Sequence, residues 1–300
     1  MRIAITGATG MIGSKLTAFL LAQGHHIALI TRRNSYHRPQ TSVIVWDPAL
    51  NYIEIEKLEG FDVIINLAGA SIGEYWSPGY KKIILDSRIQ STKLLSESLA
   101  RLSSKPRLLI SASAIGYYGN HSPLEILDEN SSSGNSFLAD VCCQWEEVVN
   151  IASEAGIRVV RARLGVVLSK VSGALNKMWR PFQLGIGGVL GNGQQMMSWI
   201  ALDEIPFVFD YLIKNGHITG AVNVVAPQAV SNAQFTKILG QLMHRPTVLP
   251  VPSFAIRLLF GEMGQSLLLE GAHVLPRRLQ ESGYQFHFSD LKDALEKAIE

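Results

Sequence analysis

The stretch from Arg2 to Gln23 constrains the fold of this chain more than any other. A short apolar, β-branched run, Arg2 to Thr6, ends directly on Gly7-Ala8-Thr9-Gly10-Met11-Ile12-Gly13, and apolar residues then recur at helical spacing from Ile12 to Gln23. In a strand-turn-helix context each glycine has its own task. Gly7 permits a tight turn, Gly10 lets backbone N–H groups approach a pyrophosphate, and Gly13 lets the helix lie close to the strand. The helix start adds aligned N–H groups and a positive dipole end, which makes Gly7, Thr9, Gly10, Met11, Ile12 and Gly13 candidate dinucleotide-binding positions. The same glycines could serve a plain structural turn; the strand before and the helix after favour the dinucleotide.

The pattern continues along the chain. Candidate strands at Ile27 to Thr31, Val43 to Trp46, Val63 to Leu67, Arg107 to Ser111 and Arg158 to Leu164 alternate with helical stretches such as Arg88 to Leu102. Runs such as Val63-Ile64-Ile65 are apolar throughout, as strands covered on both faces should be. The expected fold is α/β, a Rossmann-type doubly wound parallel sheet with a small, mostly helical C-terminal module on the substrate side. Residues 1–230 form the expected nucleotide-binding body and 246–300 the module. Within 170–200 the glycine-dense stretch from Gly185 to Gly193 must be a loop, either a substrate-side lid or a long connection.

Composition removes several function classes. With 47% hydrophobic and 17% charged residues the chain can bury a large core, and 27 Lys+Arg against 25 Asp+Glu leave no polycationic footprint, so no nucleic-acid partner is expected. Adjacent Cys142 and Cys143 can build neither a disulfide framework nor a zinc knuckle, and the histidines show no ligand spacing, so no metal is expected. No apolar leader with a cleavage site and no run of eighteen apolar residues is present, which gives the expectation of a soluble, cytoplasmic protein without a membrane partner. Glu125, Asp128 and Glu129 read as a solvated acidic loop. No Ser-centred nucleophile elbow follows a strand.

The end of the second strand bears on which dinucleotide is bound. Sites for NAD place a carboxylate there for the ribose 2′-hydroxyl, whereas this chain has Thr31-Arg32-Arg33. A charge-assisted hydrogen bond contributes about 1.5–3 kcal/mol, so one guanidinium on a 2′-phosphate favours NADP by about ten- to a hundredfold. The alternative is that both arginines are merely solvated.

Beyond the glycine turn the sequence resembles the extended short-chain dehydrogenase/reductases and, among them, the YfcH-like epimerase-family proteins, an atypical branch with its own C-terminal domain. The resemblance spans essentially the whole chain. It rests on Asn66-Leu67-Ala68-Gly69, on Trp76 with Lys81, Ser87 and Arg88, on Ser111 to Gly119, and on Arg163-Leu164-Gly165-Val166-Val167-Leu168. Pro181 to Gly188, Ser198-Trp199-Ile200, Asn223 to Pro227 and Leu269-Glu270-Gly271 with Val274-Leu275-Pro276 complete it. It implies NADP(H) as cofactor, with Leu67, Ala68 and Gly69 passing the cofactor ribose, Arg88 touching the cofactor from the start of its helix, and Leu164 and Gly165 flanking the nicotinamide. For Arg88 the competing reading is a surface ion pair.

The family's proton-transfer dyad, a Tyr and a Lys at i and i+4 on one helix, has no counterpart here, because Phe137 and Val141 occupy the matching positions. Neither can move a proton. Ser113 matches the hydroxyl that orients a substrate carbonyl, or else caps a strand end. Tyr117 and Tyr118 fall where relatives contact substrate; either is a replacement acid, with Lys81 or Arg88 as a tuning charge, or a packing residue. Two readings remain: an NADP(H)-dependent oxidoreductase or epimerase-like enzyme on a small carbonyl, hydroxyl or sugar-type substrate, and a non-catalytic NADPH-binding redox sensor. The resemblance also implies a homodimer through the helices at Arg88 to Leu102 and Phe137 to Ser153.

Overall fold

The computed structural model describes residues 1–32 and 38–300, so Arg33 lies outside the described residues. Strand β1 (Arg2–Thr6) is followed by helix α1 (Met11–Ala22), β2 (His26–Thr31), β3 (Thr41–Asp47), β4 (Tyr52–Ile53) and β5 (Val63–Asn66). Helix α2 (Pro78–Arg101) leads to β6 (Leu108–Ala114), β7 (Ile126–Leu127), α3 (Phe137–Val148), α4 (Asn150–Glu154), β8 (Arg158–Leu164) and β9 (Val166–Leu168). Then come α5 (Gly173–Gln183), β10 (Met196–Met197), β11 (Trp199–Ala201), α6 (Ile205–Lys214), β12 (Gly220–Val224), β13 (Val230–Ser231) and α7 (Asn232–Leu242). The last part holds α8 (Ser253–Gly264), a π-helical turn (Gln265–Leu269), β14 (His273–Val274), α9 (Arg277–Glu281) and α10 (Leu291–Ile299).

Among the described residues one sheet has eight strands in the order β12-β8-β6-β5-β1-β2-β3-β4, parallel except for β4. Ile3 pairs with Val63 on one side and Ile27 on the other, so β1 is central and its apolar residues divide by period two. Ile3 and Ile5 enter a core with Leu16, Leu20, Phe209 and Leu212 under α1 and α6; Ala4 enters a second with Leu95, Leu99 and Val149 under α2. The doubly wound parallel sheet expected from the sequence is present.

Helix α2 differs from the sequence reading in its start. It begins at Pro78 rather than near Arg88, with the Ser77 hydroxyl accepting the Tyr80 N–H at 3.2 Å. Pro78-Gly79 looks like a breaker, but proline is favoured at the first helical position, where its missing N–H costs nothing. Arg88 therefore sits in the third turn. Its neighbours Lys81 and Ser87 also belong to this helix.

The C-terminal residues pack into the body at several separate places. Leu279 and Tyr284 enter the α1/α6 core, Leu291, Ala294 and Leu295 join Trp199, Phe235 and Leu239, and Ala272 and Val274 join Tyr118, Leu127 and Val225. Buried Glu204 clasps this segment, accepting the Tyr284 hydroxyl and the N–H groups of His287 (2.9 Å) and Phe288 (2.7 Å).

Two glycines make the local constraints testable. A Cβ at Gly13 would lie 2.3 Å from the Gly7 carbonyl oxygen and 2.7 Å from Ala8 Cα, a clash with backbone that cannot move aside. Gly79, in the first turn of α2, has nothing within 4 Å of an added Cβ. Urea denaturation should show Gly13→Ala losing about 2–3 kcal/mol and Gly79→Ala gaining about 0.5 kcal/mol.

Candidate functional site

The chain leaves β1 and β5 towards opposite faces of the sheet, so a crevice opens beyond the carboxyl ends of these neighbouring strands. Its floor is a close backbone approach. Gly7 has φ 64°, and a Cβ there would lie 2.6 Å from the Leu67 carbonyl oxygen. The Thr6 hydroxyl pins the other strand, accepting N–H groups from Leu67 (3.0 Å) and Ala68 (3.2 Å) while donating to Asn66 Oδ1 at 2.7 Å. Asn66 in turn donates to Thr92 on α2, and the Trp145 indole on α3 donates to the same hydroxyl.

Helix α1 starts at this crevice with Gly10 as its N-cap and no capping side chain. The N–H groups of Met11, Ile12 and Gly13 have no acceptor inside the helix. The Gly10 N–H itself is used within the turn, donating to Gly7 at 3.0 Å. What Gly10 contributes is space: the contact found for an added Cβ is the Gly7 oxygen at 3.2 Å. Thr9 lies exposed in this turn.

The far wall runs from Leu67 to Ala70. The Ala70 N–H donates to the Ser87 hydroxyl at 3.0 Å, and Arg88 donates to the carbonyls of Ala70 and Ile84, each at 3.0 Å. A Cβ on Gly69 would meet the Arg88 guanidinium carbon at 3.2 Å, so Gly69 is small to admit that side chain. Arg88 stacks over Trp145 at 5.0 Å, and desolvation lowers its pKa from the usual arginine value. No carboxylate pairs with it among the described residues, so the surface ion pair is not formed and a cation stands uncompensated beside the crevice. Leu164 ends β8, half-buried. A Cβ on Gly165 would lie 2.7 Å from the Ser198 oxygen, which makes this glycine a packing requirement of the wall.

On the β2 side, Thr31 closes the strand and Arg32 is exposed just beyond it. Arg38 reaches back to α1, its guanidinium 3.1 Å from the Ser14 carbonyl. The sequence reading did not single out Arg38. The usable signal was a third arginine within seven residues of the strand end.

Ser113 and the tyrosines border a buried polar network. The Ser113 hydroxyl donates to Glu146 at 2.7 Å, and Arg163 clamps that carboxylate with two bonds of 2.8 and 2.9 Å. Arg163 also donates to the Tyr118 hydroxyl at 3.0 Å, and that hydroxyl donates to Asn223 at 2.7 Å. Burial pushes the Tyr118 phenol up to about 12, while Glu146 raises the Arg163 pKa against the effect of its burial. Tyr117 is half-buried, with the Arg163 guanidinium 3.5 Å above its ring. Of the two phenols it is the one that reaches solvent.

The acidic loop departs from the expected solvated face. Glu129 is buried, accepting the Asn223 N–H at 2.9 Å, and desolvation raises its pKa; Asp128 pairs with Arg277 at 2.7 Å. Only Glu125 of the three remains exposed. Phe137 and Val141 lie in an apolar cluster with Trp76 and Ile84, the Phe137 and Trp76 rings edge to face at 5.3 Å. Among the described residues no His/Cys/Asp/Glu group could hold a metal, and no helix is long and apolar enough to cross a membrane.

A sequence model described as the NAD dependent epimerase/dehydratase family matches residues 3–224. The chain belongs to this family. A second model, described as a domain of unknown function (DUF1731), matches residues 251–298 of this epimerase-family protein. An epimerase family protein of Mycobacterium tuberculosis, MT2273, is 40% identical over 98% of this chain and 96% of its own length. The Arabidopsis thaliana chloroplastic homolog of epimerase family protein SDR39U1 is 39% identical over 98% of this chain and 86% of its own. The human SDR39U1 crystal structure with NADPH superposes with a TM-score of 0.90 at 32% identity, covering 99% of each chain. Bordetella bronchiseptica WbmG, solved with NAD and UDP, shares the fold at 19% identity, with a TM-score of 0.76 over 100% of this chain and 94% of its own.

The Glu146–Arg163 pair is 6% and 5% exposed, so breaking it strands a buried charge. Arg163→Met should cost about 3–5 kcal/mol in urea denaturation. The double variant Arg163→Met, Glu146→Gln should recover part of that loss, because it removes both charges.

Proposed function

We propose that this protein is an NADP(H)-dependent oxidoreductase or epimerase-like enzyme acting in the cytoplasm on a small carbonyl, hydroxyl or sugar-type substrate. The observation that carries the reading is the crevice floor. Gly7 and Gly10 leave room where a Cβ would intrude, beside an uncapped helix end able to hold a pyrophosphate. Arg32, with Arg38 alongside α1, is the cation for a 2′-phosphate, and the NADPH in the human relative's structure supports the same choice.

Bound there, the cofactor would supply or accept a hydride. The chain's own part is to position and to move a proton. Leu67, Ala68 and Gly69 form the wall along the ribose, Arg88 adds positive charge, and Leu164 with Gly165 closes the nicotinamide end. Tyr117 exchanges the proton at its phenol oxygen, its ring held by Arg163. Ser113 orients the carbonyl, for which its hydroxyl has to leave Glu146. The substrate is a small molecule, and a homodimer through α2 and α3 belongs to the same reading; a monomeric mass in light scattering would contradict the dimer.

A second reading, a non-catalytic NADPH-binding sensor, is favoured by Phe137, which the resemblance sets at the position of the dyad phenol and which packs on Trp76. Calorimetry and turnover separate the two. NADPH should bind more tightly than NADH, and Arg32→Ala combined with Arg38→Ala should erase about tenfold or more of that preference. With a carbonyl panel, Tyr117→Phe should lower kcat by about a hundredfold while leaving NADPH affinity unchanged. Tight NADPH binding without oxidation by any carbonyl would select the sensor.

A further inference from the structure

The apolar cluster around Phe137 carries one exposed ion pair. Lys81, in the first turns of α2, holds its ammonium 4.3 Å from the centroid of the Phe137 ring. Both carboxylate oxygens of Glu262 reach that ammonium, at 2.8 and 2.9 Å. The side chains are 28% and 48% exposed, and a pair this open to water contributes little to stability. Glu262 also arrives on a bend: Gly261, at φ 57° and ψ −139°, interrupts α8 immediately before it. The Tyr75 ring lies against that glycine, with its hydroxyl oxygen 3.6 Å from an added Cβ. Tyr75 and Phe260, both next to Gly261, are 64% and 40% exposed, while Trp76, Leu138, Met263 and Leu267 belong to the apolar cluster with Phe137.

We infer that this is a binding site for a flat, apolar carboxylate, which names a substrate class for the proposed enzyme and rests on that reading, in which Phe137 stands where the resemblance sets the dyad phenol. Glu262 is a carboxylate already seated on the ammonium, so the geometry shows what the cation accepts. A ligand carboxylate takes its place without leaving Lys81 unpaired, and the Gly261 bend lets Glu262 withdraw with α8. The ligand body then covers the Phe137, Tyr75 and Phe260 rings. A nucleoside diphosphate fits the site less well, because among the described residues Lys81 is the one cation over the Phe137 ring, a single charge for two phosphates.

The test titrates the full chain, with and without saturating NADPH, with 2-naphthoate, 2-naphthamide and UDP-glucose, followed by tryptophan fluorescence and calorimetry. Wild type should bind 2-naphthoate in preference to both other probes. Lys81→Met should weaken it about tenfold or more, Lys81→Arg should retain it, and Glu262→Gln should tighten it several-fold. The amide should respond to none of these changes. Unchanged 2-naphthoate affinity in Lys81→Met, or no 2-naphthoate binding by wild type, overturns the site. Binding of UDP-glucose with 2-naphthoate excluded overturns the ligand class. NADPH binding is read in the same samples: its loss in wild type defeats the cofactor reading by itself, and its retention in each variant shows that the variant is folded.

Discussion

The backbone contact between Gly7 and the Leu67 carbonyl sets the dimensions on which the rest of the site depends. Two parallel strands can end this close only if one of them carries no side chain at the point of approach, and the Thr6 hydroxyl locks the arrangement by receiving two N–H groups from the neighbouring turn. From Thr6 the bonding passes through Asn66 to Thr92 and Trp145, so the crevice, α2 and α3 are held by one buried chain of hydrogen bonds. Each such bond adds only about 1 kcal/mol net, but leaving one of its members unpaired would cost about 1–3 kcal/mol, which makes the geometry effectively all or none.

The chemistry-bearing residues are attached to this frame with different degrees of freedom. Tyr118, Glu146, Arg163 and Asn223 are mutually satisfied and buried, and they serve as a rigid back wall. Tyr117, half-buried, sits on that wall with its ring under the guanidinium. Lys81 and Glu262 form an exposed pair over the Phe137 ring, one partner in the body and the other in the C-terminal segment.

What was legible in the sequence follows from the range of the interactions involved. The strands of the large sheet, the glycine turn and the helix after it are local patterns, and apolar runs such as Val63-Ile64-Ile65 need no knowledge of distant residues. The start of α2 was misread because Pro78-Gly79 signals a break unless the Ser77 cap is recognised with it. Glu129 was misread because the groups that bury it, Asn223 and Arg278, lie 94 and 149 residues away. Ser113 was legible as a hydroxyl at the end of its strand, but its bond to Glu146, a partner 33 residues on, is one that no local pattern announces. That Phe137 and Val141 offer no exchangeable proton was legible from residue type alone. That Lys81 comes to rest above the Phe137 ring was not, since the two stand on different helices.

The scattered packing of residues 272–295 bears on how the chain is made. Ala272 and Val274 complete the surroundings of Tyr118, Leu279 and Tyr284 complete the core under α6, and Leu291 to Leu295 cover Trp199 and Phe235. During synthesis the sheet can assemble early, but three apolar surfaces stay open until residues 272–295 leave the ribosome. Until then the nascent body leaves apolar surface exposed to water, the condition in which chains aggregate most readily. Glu204, waiting buried for the Tyr284 hydroxyl and two late N–H groups, makes that final docking specific rather than merely hydrophobic.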